Sequence, residues 1–581
     1  MNKEQIITLA ITDLNNLGCG VGRYEPEGKV VFVKGAVTGD RVLAKVIKVG
    51  KSYAVAKLME ISEPSPHRSA EDTCRAPLSC GGCIYRHITY EHEKTLKEEY
   101  VKNAFVKAGL RDVTVLPVLS TGQTEGYRNK GQYPLTTTKD GIRAGFYAAG
   151  THTVVPCEEC RIQSESFAPL VRWICRFGTE AGWTTYDEKT GKGLLRHIYL
   201  RRGEETEQTM VCLVINGDTL PREADLAEKL TSAFPQVVSL MINTNKENTN
   251  VVLGKKFRVL FGEDALEDKL CGLTFQISAD SFYQVNRQGA ELLYTKAAEL
   301  AELKGKELLM DLYCGTGTIG LSMAKKVDRL IGVELVEAAV RCAKENAKRN
   351  GIENASFYCG DASSREMILK CTEGRIPDVV VIDPPRKGST RELVECLAGL
   401  GVRRVVYVSC NPDTLARDCV WFREAGYTMG NVQPVDMFPR TGHVETVALL
   451  SRQINVHKMK LNSTPFEMIK SGEKTIELRL FDEKRQQVKV GDKIIFINTT
   501  TGETLNRTVV KLHRFDSFEE LYKSLPLLQC GYTVNDVDSA KPSDMEQYYS
   551  IEEQTQYGVV GIELCRHKEI TDESVVCLTR K

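Results

Sequence analysis

The chain lacks a net charge, a bilayer-length apolar run and a disulfide framework. Its 581 residues carry 77 Lys and Arg against 77 Asp and Glu. Nothing in that balance draws it to nucleic acid, so any such site has to come from local patches. No apolar stretch approaches the length that spans a membrane, and the opening MNKEQIITLAITDL lacks the basic-then-apolar layout of a secretory signal. Nineteen cysteines is an odd count, scattered along a long chain. Without a secretion signal, that argues for a reducing, cytoplasmic setting in which thiols are free, metal-bound or reactive. A hydrophobic share of 42% and a charged share of 27% fit a globular chain of about three to five domains.

What is present is punctuated. Residues 1–61 alternate short apolar runs (Lys29 to Val33, Arg41 to Val46) with glycines, which predicts a small β-barrel. Pro64-Ser65-Pro66 marks a linker into a cysteine-rich stretch. Residues 62–275 form a mixed central region without a clean repeat. Residues 276–452 read strand–helix–strand, which predicts a parallel, helix-covered sheet. Residues 455–581 are polar, strand-rich and long enough for a domain of their own. The fold class expected is thus multidomain α/β, with a Rossmann-like sheet between two barrels.

Two strand ends carry chemistry. Val405 to Val408 reads as a buried strand, followed by Ser409-Cys410-Asn411-Pro412, and Pro412 suits the first turn of a helix. A thiol between a strand end and a helix N-terminus is expected to have a lowered pKa, which makes Cys410 a candidate nucleophile. Upstream, Leu308 to Leu312 leads into Tyr313-Cys314-Gly315-Thr316-Gly317-Thr318, and Glu334 ends the next strand about 20 residues on, where a carboxylate can bind ribose hydroxyls. Alone, this fits NAD and S-adenosylmethionine equally well. Asp361 and Asp383 end the third and fourth strands. Asp383-Pro384-Pro385-Arg386 followed by a cysteine nucleophile suits methyl transfer to a base, not hydride transfer.

Five ordered motifs then resemble the RNA uracil-5-methyltransferase family, in its iron–sulfur branch acting on 23S ribosomal RNA: Ser281-Phe282-Tyr283-Gln284-Val285-Asn286, the Asp311–Gly317 loop, Asp383 to Arg386, Ser409 to Pro412, and Asp436 to Glu445. The resemblance spans residues 1–452. It implies Cys410 as nucleophile, Glu445 as general base, and Gln284, Tyr313, Glu334 and Asp383 around S-adenosylmethionine, with Thr318 and Asp361 as weaker members. The expected reaction adds the thiolate to carbon 6 of uracil, so that carbon 5 can take a methyl group. The target base then has to leave its stack.

By the same resemblance, residues 1–61 are similar to the TRAM domain, an RNA-binding barrel, and Cys74, Cys80, Cys83 and Cys160 hold a 4Fe–4S cluster. Spacing alone leaves zinc open, because Cys80-x2-Cys83 with Cys157-x2-Cys160 also makes a four-thiolate site. Arg128, Lys130, Lys139 and Arg143 lie among Tyr127, Tyr133, Phe146 and Tyr147, and Arg196 to Arg202 forms a second basic stretch. Both are candidate RNA surfaces. The C-terminal unit resembles the ASCH domain, a PUA-like barrel associated with RNA, with Lys474, Glu477 and Arg479 in its cleft. The partner expected is RNA, with no membrane, and the chain is expected to be a monomer.

Overall fold

The computed structural model describes residues 1–70, 74–77, 79–453 and 455–565. Five strands (Ile6–Leu14, Cys19–Tyr24, Lys29–Lys34, Arg41–Val49, Tyr53–Glu63) close into a barrel in which the first pairs with both the second and the fourth. The period-2 pattern explains it. Ile7, Leu9 and Ile11 point inward with Val31, Val33, Val42, Val46 and Ala54, while the residues between face outward. One barrel turn presses on the catalytic region: a side chain at Gly442 would strike the Asn16 carbonyl, its Cβ falling 2.2 Å from that oxygen.

The central region is a seven-stranded sheet flanked by the helices Phe167–Glu180 and Glu223–Ala233. Its inner strands Leu195–Arg202 and Thr209–Ile215 are buried on both faces, by alternate residues. Ile198, Leu200, Val211 and Leu213 pack with the two helices, whereas Tyr199, Met210, Cys212 and Val214 pack with the next domain. This overturns the expectation that Arg196 to Arg202 is an RNA surface. Arg196, His197 and Arg201 are 4%, 6% and 4% exposed. Arg196 donates to the carbonyls of Asn245 (2.9 Å) and Glu247 (2.7 Å), and Arg201 donates to the Tyr199 hydroxyl (2.7 Å). Cations on a doubly buried strand find internal partners. The other patch is thinned too, since Tyr127 and Tyr133 are buried and Arg143 pairs with Glu158.

The catalytic sheet runs in the order Ala355–Cys359, Arg329–Glu334, Leu308–Leu312, Val379–Ile382, Arg404–Ser409, Glu445–Ser451, Thr428–Val435. The first five strands are parallel and Glu445–Ser451 is antiparallel to its neighbours. The strand order reverses between Leu308–Leu312 and Val379–Ile382, which opens a ligand crevice at their carboxyl ends.

The helix Tyr90–Lys107 is pinned to this sheet by a buried charge cluster. Lys97, 2% exposed, bonds Glu93 (2.8 Å), Asp436 (2.7 Å) and the Phe438 carbonyl (3.1 Å). Tyr90 adds a bond to Asp436 (2.9 Å), and the Arg440 backbone N–H donates to Glu93 (2.7 Å). The loop leading to Glu445 is thereby fixed from outside its own domain.

The C-terminal unit, expected to be a PUA-like barrel, is a half-barrel: its described strands form an open five-stranded sheet with Val456–Leu461 and Ile476–Leu480 at the edges. The chain between those edges forms the helix Ser463–Ser471, and the two edge strands do not pair. The Arg479 guanidinium bridges the gap to the Lys460 carbonyl (2.9 Å). This unit rests on the helix Arg391–Leu400, where buried Arg452 donates to the Ala398 carbonyl (2.9 Å). Among the described residues no helix is long and apolar enough to cross a membrane.

Candidate active site and cysteine cavity

Cys410 sits where the strand–turn–helix reading placed it. Arg404–Ser409 ends just before it, and Asn411 caps the helix Pro412–Glu424, accepting from the Asp413 N–H (3.1 Å). The Asn411 side chain also donates to the Arg386 carbonyl (3.0 Å), tying this turn to the Asp383–Arg386 loop. Antiparallel register brings in the second group. Ser409 pairs with Thr446, whose hydroxyl donates to the Ser409 carbonyl (3.0 Å), so one step further Cys410 lies opposite Glu445.

The thiol is not acidified. Burial, then the Glu445 and Asp383 carboxylates, push Cys410 up to about 11 against Arg386. The helix N-terminus is outweighed by desolvation and two acidic neighbours. Glu445, 5% exposed, is itself raised to about 8 by burial and Asp383, and burial raises Asp383 to about 7.

On the other side of Asp383 lies the glycine-rich loop. Tyr313 (φ 63°), Gly315 (φ 54°) and Gly317 (φ 82°) are all left-handed. For a tyrosine that conformation is strained, and strain of this kind gathers at ligand sites. Glu334 holds the loop, accepting from the N–H groups of Gly315 (3.1 Å) and Val336 (2.9 Å). Thr318 bonds the Tyr294 hydroxyl (3.1 Å), which has Gln284 and Asp383 as neighbours. Asp361 is more peripheral, exposed and bonded to Ser363 (2.8 Å).

Three side chains matter here that the sequence did not single out. Tyr294 is one of the buried positions of the helix Arg287–Ala301. Arg386 is a cation that bears on both Cys410 and Glu445, lowering each against the effect of burial. Asp311 is fully buried, accepts one bond from the Gly320 N–H (2.8 Å), and leaves its Oδ1 unpaired. Burial and the nearby Asp383 and Glu334 raise Asp311 to about 7.

This cleft decides between the two cofactor classes. Asp311, Glu334 and Asp383 crowd one crevice without a matching cation, which repels an anionic pyrophosphate and favours a ligand bearing ammonium and sulfonium charge. A side chain at Gly315 would point into open space, so the backbone there is free for a ligand to approach. These residues fit S-adenosylmethionine.

A second cavity, of about 260 Å³, is lined by Cys74, Cys80, Cys83, Cys157 and Cys160, with Arg86, Arg128, Lys130, Arg161 and Arg440 in its walls. Residues far apart in the chain build it. Arg86 donates to the Cys74 carbonyl (3.0 Å), the Gly81 N–H to the Tyr147 carbonyl (3.0 Å) and the Cys157 N–H to the Ala144 carbonyl (3.0 Å). Arg75 pairs with Glu159 (2.9 Å), joining the two cysteine segments. Burial and neighbouring thiols raise Cys83 and Cys157 each to about 12 and Cys160 to about 11. Among the described residues no three His, Cys, Asp or Glu side chains converge as a single metal ion requires. Four thiolates on one zinc would stand only roughly 3.8 Å apart. Five thiols and five cations thus line one cavity.

In the C-terminal unit, Lys474 and Arg479 both grip Glu477 (3.0 and 2.8 Å). Burial pushes the Glu477 carboxyl up, but the two cations outweigh it and hold it below its ordinary range.

The family model described as tRNA (Uracil-5-)-methyltransferase matches residues 222–453, the TRAM model residues 3–59 and the ASCH model residues 459–566. An uncharacterized RNA methyltransferase of Halalkalibacterium halodurans is 40% identical over 451 residues, covering 78% of this chain and 98% of that protein. The chain belongs to the RNA uracil-5-methyltransferase family. A second member, an uncharacterized RNA methyltransferase of Clostridium tetani, is 41% identical over 456 residues, covering 78% of this chain and 97% of that protein. Among solved structures, the Pyrococcus abyssi tRNA (uracil-54, C5)-methyltransferase in complex with S-adenosyl-L-homocysteine superposes with a TM-score of 0.62 at 28% identity, over 76% of this chain and 99% of that one. This member of the family is accordingly an S-adenosylmethionine-dependent RNA methyltransferase. The two relatives leave about a fifth of it unmatched, a share the size of its ASCH-bearing end.

Proposed function

We propose that the protein methylates carbon 5 of uridine in 23S ribosomal RNA through a covalent adduct of Cys410. The observation that carries this reading is Asp383, which neighbours the Cys410–Glu445 pair on one side and Asp311 and Tyr294 on the other. A pyrimidine over Cys410 would thus lie beside the cofactor crevice.

The Cys410 thiolate adds to carbon 6 of a uridine drawn out of its stack, placing the displaced electron pair on carbon 5 and the O4 carbonyl. S-adenosylmethionine supplies the electrophilic methyl carbon to carbon 5. Glu445, as carboxylate, takes the hydrogen from carbon 5, and its electron pair expels the Cys410 sulfur from carbon 6. Gln284, Tyr313 and Glu334 orient the cofactor, and Arg386 favours the thiolate and the charge gathering on the ring. Glu445 is buried next to Asp383, so its affinity for a proton suits a base that works near neutral pH.

Cys74, Cys80, Cys83 and Cys160 would hold a 4Fe–4S cluster, which supplies no electron to this redox-neutral reaction and would brace the loop of Cys74 to Cys83 against the central sheet. The choice of 23S ribosomal RNA rests on the resemblance in the cysteine motif. The Pyrococcus abyssi neighbour makes transfer RNA the competing substrate.

RNA carrying 5-fluorouridine tests the chemistry, because fluorine on carbon 5 cannot leave as a proton. A covalent complex formed with cofactor and lost in Cys410→Ala is expected; an adduct that survives the substitution sinks the mechanism. Mapping 5-methyluridine in cells lacking the protein tests the substrate. Loss from transfer RNA alone, with 23S ribosomal RNA unchanged, would replace the ribosomal reading.

A further inference from the structure

The cysteine cavity has one thiol more than a four-iron cluster needs, and the arrangement of the five is not random. Cys74, Cys80 and Cys160 are close neighbours of Cys83, and the same three are close neighbours of Cys157. Cys83 has Arg128 as its cationic neighbour and Cys157 has Arg86. Both line the same space of about 260 Å³. Cys157 is 8% exposed, and its thiol makes only a long contact with the Glu159 carbonyl (3.6 Å). A buried thiol with so weak a partner is cheap to redirect.

Backbone anchoring separates the two candidates for the fourth position. Cys157 follows the edge strand Val154–Pro156, and its N–H is fixed on Ala144 of the neighbouring strand. Cys83 sits on the glycine turn Cys80-Gly81-Gly82-Cys83, in which Gly81 packs so closely on Tyr147 that an added Cβ would lie 2.9 Å from its carbonyl oxygen. One ligand position is therefore on a glycine turn and the other on a strand end, facing a common trio.

We propose that Cys157 is a reserve ligand that can take the place of Cys83 on a cluster held by Cys74, Cys80 and Cys160. The inference rests on the 4Fe–4S reading of this cavity. The exchange is redox-neutral: one iron–sulfur bond to Cys83 breaks, one to Cys157 forms, and the proton leaving the Cys157 thiol balances the one gained by Cys83. Arg128 and Arg86, which line the same cavity, stabilise whichever thiolate is bound. A chain built this way keeps its cluster after damage to the thiol on the glycine turn, but not after damage to any of the trio.

The test is anaerobic reconstitution of the full-length protein with ferrous iron and sulfide, reading iron and sulfide per chain, visible absorbance and the paramagnetic resonance of the reduced sample. Cys83→Ala, with Cys83→Ser as the milder replacement, is expected to retain at least half of the wild-type iron with an altered resonance. The double variant Cys83→Ala/Cys157→Ala and the single variant Cys160→Ala are expected to fall below a tenth. The single variant Cys157→Ala gives an independent readout: with Cys83 in place it is expected to keep the wild-type iron content and resonance. If Cys83→Ala and Cys83→Ser are as empty as the double variant, or if Cys157→Ala alone empties the protein, the reserve-ligand assignment is wrong. A wild-type protein that takes up no iron, or takes up a single zinc instead, overturns the cluster reading itself and is told apart by that measurement alone.

Discussion

The catalytic cleft and the cysteine cavity are both lined by cysteines and charges, yet they are assembled in opposite ways. In the cleft, sheet register does the placing: Cys410 and Glu445 face each other because Ser409 pairs with Thr446. In the cavity, loops from residues 74–86 and 157–163 are drawn together by side-chain and turn contacts such as Arg75–Glu159 and Arg86 on the Cys74 carbonyl. A register-built site is stiff and sets chemistry. A loop-built site depends on what it binds to become stiff, and it braces.

Exchanging one cysteine in each place tests that contrast most severely. Cys410→Ala is expected to cut methyl transfer by at least about 10³-fold without moving the melting temperature. Cys74→Ala should instead lower the melting temperature and iron content while leaving turnover of the folded fraction within about tenfold. Equal losses of turnover in both would erase the distinction. Next in size, Glu445→Gln should slow turnover by roughly 10²–10⁴-fold and let the RNA adduct accumulate on a denaturing gel. A variant that fails to form the adduct would move Glu445 from base to structural support.

Lys97→Met probes the clamp on the helix Tyr90–Lys107. It removes the cation that buried Glu93 and Asp436 share and leaves only Arg440 (3.7 Å) on Glu93, so a loss of about 3–5 kcal/mol in denaturant unfolding is expected. The smallest effect concerns pH. Burial and Asp383 raise Glu445 to about 8, so the base is mostly protonated below that value. Single-turnover rates should therefore rise with pH through about 8, and Glu445→Gln should remove the inflection there and leave the rise due to Cys410, whose thiol is pushed up to about 11.

Local features were legible in the sequence. The strand before Cys410, the turn at Asn411, the Pro412 start and the glycine loop before Thr318 are each written within a dozen residues, and they fold as read. What depended on distant partners was not legible. The lowering that a helix N-terminus can give Cys410 is overridden by burial, and then by Glu445 and Asp383 arriving from other strands. Arg196 to Arg202 counted as a basic surface because composition says nothing of which faces a strand buries. Lys97, Tyr294 and the orphaned oxygen of Asp311 acquire meaning only once Asp436, Thr318 and Glu334 are brought beside them.

The strand Glu445–Ser451 begins at Glu445 and ends next to Arg452, which bonds the helix Arg391–Leu400 where the appended domain packs. Seven residues at about 3.4 Å each make it a ruler of roughly 24 Å. An RNA gripped by both ends of that ruler has to reach across the thickness of the catalytic domain. A change in the appended domain should therefore alter which RNA is chosen and leave the speed of the chemistry, once the base is seated, as it was.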